Sequence, residues 1–209
     1  MQTRIILIRH GQTRANVERR YIGATESSLT PLGKHQAKSL KKRIAKESID
    51  KVFVSPSKRA LNFSKIIFGN RQTEVLMDLR EMDFGVLEGL THLKALKKYP
   101  QFYSKWLKNP QRFNIPKAES FSDFKARVFK ALKGIIYENT GATIAIVTHG
   151  GTIRMILNKV LKLKNLWEIM PDSASISIIE FNKTVPKVFV VNDISHYSLF
   201  QNTTGCARG

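Results

Sequence analysis

Apolar positions along the chain change period several times. Ile5-Ile6-Leu7-Ile8 is a continuous apolar run, the pattern of a short strand buried on both faces. A polar, glycine-containing stretch over 11–28 predicts a loop. Thr30-Pro31 then carries helix-start signals, an N-cap hydroxyl and a proline at the first helical position. Leu32, Ala37, Leu40 and Ile44 form the predicted apolar stripe, with Lys38, Lys41, Lys42 and Lys46 on the wet face. Val52-Phe53-Val54 predicts a second strand. Ser55-Pro56 opens a second helix that runs to about Phe68, and Glu74 to Leu76 a weak third strand.

Residues 86–118 follow a different pattern. Tyr99, Phe102, Tyr103, Trp106 and Leu107 stand among lysines, and Asn109-Pro110 and Ile115-Pro116 break the run. This predicts short helices inserted over one end of the sheet, with the aromatics as their local core and one or two lining a pocket. Helical period returns from Ser120 to Glu138, with Phe124, Val128, Leu132, Ile135 and Ile136 on the buried side. Ile144 to Val147 predicts a strand, Thr152 to Val160 a helix, and Ile176 to Phe181 and Lys187 to Val191 two closing strands. No internal repeat, low-complexity linker or domain boundary interrupts residues 1–209. The alternation predicts a single α/β domain, a three-layer sandwich with a mostly parallel sheet.

Such sheets bind ligands beyond the carboxyl ends of their strands. There the sequence places Arg9-His10-Gly11, then Ser55 to Arg59, then Glu81, then His149-Gly150-Gly151. Arginine forks suit phosphate oxygens. Helices starting just after residues 11 and 151 would add amide donors. A neutral histidine nitrogen can attack phosphorus, and arginines nearby disfavour its protonation. A carboxyl group could protonate the leaving alkoxide. Glu81 is the candidate, with Asp83 and Glu88 as rivals. Arg154 is read as a structural ion-pair partner, and His35, His92 and His196 as surface or structural.

Composition narrows the setting. Hydrophobic residues make up 42% of the 209, enough for one sizeable core. The lone Cys206 excludes a disulfide framework. No apolar run approaches the roughly 20 residues of a membrane span, and Ile5 to Ile8 is too short for a leader's apolar region; the expectation is a soluble cytoplasmic protein without a membrane partner. The formal charge is +19, from 35 Lys+Arg against 16 Asp+Glu. A field of that sign attracts anions. A basic nucleic-acid-binding protein is the alternative of a different class, but the lysines scatter over most predicted helices. A metal site is not expected, because two arginines at the same edge would repel the ion and the spacing of a two-histidine helix motif is absent.

Leu7-Ile8-Arg9-His10-Gly11-Gln12-Thr13, with Asn16, Arg20, Gly23 and Leu29-Thr30 after it, resembles the opening of the histidine phosphatase superfamily, in its phosphoglycerate mutase-like branch. Ser55-Pro56-Ser57-Lys58-Arg59-Ala60, Leu79 to Gly85, Glu88-Gly89 and Thr148 to Gly151 continue the resemblance in order. It implies that His10 is the nucleophile of a phosphohistidine, that Arg9, Arg59 and His149 complete the phosphate pocket, and that Glu81 is acid, then base. Gln12, Thr13, Asn16, Ile22, Gly23 and Gly150 are the remaining phosphate- and substrate-binding positions it implies. The implied activity is hydrolysis of a small phosphomonoester without metal or organic cofactor, with a homodimer as a further possibility. Tyr99-Pro100, Trp106, Pro116, Glu119-Ser120 and Asn192-Asp193 are similar to bacterial α-ribazole 5′-phosphate phosphatases of cobalamin synthesis and broad-specificity phosphatases. Phosphoglycerate mutase is the alternative, and the longer insertion of the cofactor-dependent mutases is missing. Phe63, Leu87 and Ala118 depart from the usual family residues.

Overall fold

A computed structural model describes residues 2–197. In chain order the elements are β1 (Gln2–Arg9), α1 (Arg14–Val17), α2 (Pro31–Ile44), β2 (Lys51–Val54), α3 (Lys58–Phe68), β3 (Glu74–Val75), α4 (His92–Lys98), α5 (Pro100–Lys108), α6 (Phe121–Glu138), β4 (Thr143–Thr148), α7 (Gly150–Leu161), β5 (Ile176–Asn182) and β6 (Val185–Asp193). The six strands form one sheet in the order β3-β2-β4-β1-β5-β6. Its first four strands are parallel to one another, and β5 and β6 close it antiparallel. The mostly parallel three-layer arrangement agrees with the alternation of periods in the sequence.

Side chains alternate across each strand, so each continuous apolar run feeds two cores. Ile5 and Leu7 of β1, Phe53 of β2 and Ile144 and Ile146 of β4 pack with α6 and α7 on one face. Ile6, Ile8, Val52, Val54, Ala145 and Val147 pack with α2 and α3 on the other. Fully burying each such side chain contributes about 1.5–3 kcal/mol before chain entropy is counted. The segment from Leu87 to Ile115 builds a third, smaller core of Leu87, Ala95, Tyr103, Trp106 and Ile115. That is the predicted helical insertion.

Three local readings change. Within the expected loop 11–28, Thr13 caps the one-turn helix α1, accepting from the Asn16 N–H while Asn16 Oδ1 accepts from the Thr13 N–H. Helix α3 starts at Lys58 rather than at Ser55-Pro56, because Ser55 is still tied to the sheet through its N–H and the Val147 carbonyl. On α2, Leu32 is exposed and Gln36 is buried instead. The Gln36 amide oxygen accepts from the Gln12 N–H at 2.8 Å, and this bond holds the loop after β1 against the helix. Cys206 lies outside the described residues. Among them, no helix is long and apolar enough to cross a membrane.

Candidate active site

Register brings the two histidines together. Strands β1 and β4 pair with Arg9 opposite Thr148, so the next residues, His10 and His149, leave the sheet side by side. Their ring centroids are 5.2 Å apart, edge to face. Helix α7 begins at Gly150 with His149 as its N-cap, two residues earlier than expected. Strand β2 lies on the other side of β4, with Val54 opposite Val147, and this puts Ser55 against His149. A cavity of about 340 Å³ opens above them. Arg9, His10, Thr13, Asn16, Ile22, Arg59, Glu81, His149 and Gly150 line it.

Both rings are buried. His10 Nδ1 lies 2.8 Å from the Gly11 carbonyl. A carbonyl only accepts, so Nδ1 carries the proton and Nε2 holds the lone pair. Burial first, then the Arg9 and Arg59 charges, hold the His10 pKa well below its ordinary value. His149 is held down by burial, then by His10, Arg59 and Arg9. Both imidazoles are therefore neutral near pH 7. His149 Nε2 is 2.7 Å from Ser55 Oγ and 3.3 Å from Ser57 Oγ. Its Nδ1 is buried without a partner among the described residues. Buried polar atoms are normally satisfied, so such an atom on a cavity wall marks a place for a ligand.

The arginines divide by their partners. Arg59 donates to the Thr25 and Gly23 carbonyls, both at 2.9 Å. It thereby ties α3 to the 23–26 loop. Arg9 donates to the Pro171 carbonyl at 2.5 Å, and its buried Nε has no partner among the described residues. Asn16 Oδ1 is used by the Thr13 cap, which leaves the amide N–H groups of Asn16 for a ligand.

Among the three carboxylates, geometry separates Glu81. Glu88 accepts from the Gly23, Ala24, Thr25 and Phe84 N–H groups and the Thr25 hydroxyl, so its oxygens are spent on holding loops. Asp83 Oδ1 accepts from the Gly85 N–H at 2.8 Å, and Asp83 does not line the cavity. Glu81 lines it, with Oε2 accepting from the Gly151 N–H at 2.8 Å. A Cβ at position 151 would come within 2.3 Å of Glu81 Oε1, so any side chain there would displace the carboxylate. Gln12 and Gly23 are not part of the cavity wall. Gln12 Oε1 accepts from the Thr30 hydroxyl, and Gly23 accepts from Arg59; both shape the loop from behind.

Some contributors are not foreseen from the sequence. Buried Arg127 of α6 donates to the Asp78, Arg80 and Glu81 carbonyls and forks onto Glu119 at 2.5 and 2.7 Å. It fixes the backbone that carries Glu81. A charged residue beside Phe124 and Val128 on the apolar face of α6 is the signal that could have found it. The Ser55 and Ser57 hydroxyls orient His149, and Ser57, although the N-cap residue of α3, makes no side-chain capping bond. Arg154, expected in an ion pair, instead lines the cavity with its guanidinium 4.8 Å over the Trp167 ring. Tyr21, Phe84 and Trp106 complete that outer wall. Among the described residues no group of three or more His, Cys, Asp or Glu side chains converges as a metal site.

Comparison with known sequences matches residues 5–194 to the histidine phosphatase superfamily, branch 1. The chain belongs to the histidine phosphatase superfamily. Within it, a metal-independent phosphoserine phosphatase of Arabidopsis thaliana is 31% identical over 202 residues, which span 94% of this chain and 84% of that protein. The solved structure of Bacillus stearothermophilus YhfR superposes with a TM-score of 0.86 at 32% identity, covering 93% of this chain and 98% of that one. The alpha-ribazole phosphatase of Shigella flexneri superposes at 0.84 with 28% identity, covering 91% and 96%. This histidine phosphatase thus shares its fold with these proteins over more than nine tenths of the chain.

Proposed function

We propose that this member of the superfamily hydrolyses small phosphomonoesters in two steps, with His10 as the nucleophile. The observation that carries the reading is the His10 ring. It is neutral, its Nδ1 proton is tied to a carbonyl, and its Nε2 is left free beside two arginines. In the first step Nε2 attacks phosphorus and the P–O bond to the alcohol breaks. The Glu81 carboxyl gives its proton to the departing alkoxide, so the alcohol leaves neutral. Arg9, Arg59, the His149 Nδ1–H and the Gly150 N–H at the start of α7 stabilise charge on the phosphoryl oxygens. In the second step water attacks phosphorus, the P–N bond breaks, and the Glu81 carboxylate takes the water proton. Inorganic phosphate leaves and the acid is restored. Thr13, Asn16 and Ile22 border the phosphoryl position, with Gln12 and Gly23 behind them.

The cavity walls supply the positive charge that a metal ion supplies in other phosphatases, and the reading needs no cofactor. The partner is a small phosphorylated metabolite. Both α-ribazole 5′-phosphate and phosphoserine are candidates, since similar proteins carry those names. The +19 charge favours capture of such anions.

The test is to quench the protein during turnover of a radiolabelled phosphomonoester. Phosphate stable in base, labile in acid and mapped to His10 is expected. The His10→Ala variant should carry no label and lose at least about 10⁴-fold in kcat. Substantial turnover by His10→Ala would overturn the assignment.

A further inference from the structure

Among the described residues four arginines line the cavity: Arg9, Arg20, Arg59 and Arg154. Arg20 is already paired with Glu18 at 2.5 Å, and Arg59 with Glu26 at 3.7 Å. Among the described residues, neither Arg9 nor Arg154 has a carboxylate within 4.0 Å. Arg9 adjoins His10, and its charge is one of those that depress both histidines. Arg154 occupies a different place, on the first turns of α7 and stacked on Trp167. Its Nε donates to the Ile169 carbonyl at 3.1 Å, and one Nη contacts Met170 Sδ at 2.7 Å. A guanidinium has five N–H donors in one plane. Stacking on a ring covers its face and leaves its edge, so donors remain for a ligand. The closest negative charge inside the cavity, Glu81, is held by the Met82 and Gly151 N–H groups. Arg9 and Arg59 are the cavity arginines whose charges act on His10 and His149, and Arg154 acts on neither.

We propose that Arg154, backed by Trp167, forms a second subsite that binds a carboxylate on the alcohol half of the substrate. The enzyme is thereby directed to phosphomonoesters of carboxylated alcohols. The inference rests on the phosphatase reading above and adds the chemistry of the leaving group. A planar carboxylate matches the guanidinium edge with two parallel hydrogen bonds. Its single charge also matches one unpaired arginine, where a second phosphate would bring two charges. The neighbouring wall of Tyr21, Phe84 and Trp106 is aromatic, and Arg20 beside it is held by Glu18 and the Gly89 carbonyl, so Arg154 is the anchor at this end.

Substrate pairs that differ in the carboxylate give the test: phosphoserine against phosphoethanolamine, and 3-phosphoglycerate against glycerol 3-phosphate. Hydrogen bonds to a charged group are worth about tenfold or more in affinity. The protein should prefer the carboxylated member of each pair by about that factor in kcat/KM, mainly through KM. Arg154→Gln should bring the ratio near one, and Arg154→Lys should restore part of it. A purely structural Arg154 would lower both members of a pair equally, and that result overturns the inference. So does an unchanged protein with no preference. Calorimetric binding of the same pairs to His10→Ala separates the two readings. Discrimination there without turnover by the unchanged protein sinks the phosphatase reading alone. Equal binding alongside normal turnover sinks the carboxylate subsite alone.

Discussion

The inner end of the cavity, around His10, His149 and Glu81, is pinned by hydrogen bonds to neighbouring backbone and hydroxyl groups. The outer end is held by rings against rings. Tyr21 packs against Phe84 at 5.3 Å and against Trp106 at 5.9 Å, and Trp106 meets Trp167 at 6.3 Å. Hydrogen bonds fix direction to within tens of degrees, which proton transfer and in-line attack demand. Ring packing fixes volume and polarity more than direction, which suffices to select a leaving group. The inner end also draws on sheet register, shared with the whole domain. The outer end draws on the small separate core around Trp106. Loss of an inner group should therefore show in kcat with the fold intact, and loss of an outer ring in KM and stability.

The largest effect that could break this division is at Glu81. Glu81→Gln should lower turnover of an alkyl phosphate by about 10²–10⁴-fold, because an alkoxide needs a proton to leave. With p-nitrophenyl phosphate it should release a burst near one equivalent per enzyme and then slow, since nitrophenolate departs unaided while water still needs a base. Denaturant unfolding should change little. A burst in Asp83→Asn or Glu88→Gln instead, with Glu81→Gln at normal rates, would move the acid to a loop-holding residue and blur the division. At the outer end, Trp106→Ala removes a ring that is 2% exposed. It should cost about 3–5 kcal/mol of stability and raise KM by a larger factor than it lowers kcat. A pure kcat defect in a fully stable Trp106→Ala protein would show that the outer wall orients the reaction.

The smallest effect sharpens the comparison through pH. His10 and His149 are buried with pKa values well below the ordinary 6.5. In the unfolded chain they take up protons as pH falls through that value, while the folded protein does not. Unfolding is therefore favoured by acid, and stability falls as pH drops below about 6.5, by up to about 1.4 kcal/mol per pH unit for each histidine. The thermal midpoint should decline between pH 7 and 5. His149→Gln should flatten that decline, whereas the outer substitution Trp106→Ala should lower the midpoint without altering its slope. Parallel declines for the unchanged protein and His149→Gln would mean that His149 is not held neutral.

Much of this was legible along the chain. The continuous runs Ile5 to Ile8 and Ile144 to Val147 announced buried parallel strands, because only a strand covered on both faces lacks polar alternation. Thr30-Pro31 marked a helix start through its own capping chemistry. Histidines and arginines directly after strands placed the chemistry at one sheet edge, since parallel strands all end on the same side. Local signals failed where the partner was distant. The start of α3 shifted because Ser55 bonds across to Val147, and Leu32 lost its place in the core to Gln36, whose partner is 24 residues away. Arg154 looked like an ion-pair residue because a helix position says nothing about the ring it stacks on. The sequence by itself determined the layer order and the types of groups at the site, through periodicity and motif order. Only the tertiary structure decided which carboxylate lines the cavity, which His10 nitrogen is free and which arginine has no carboxylate partner. Those outcomes depend on hydrogen bonds and charges between residues tens of positions apart, and no local pattern records them.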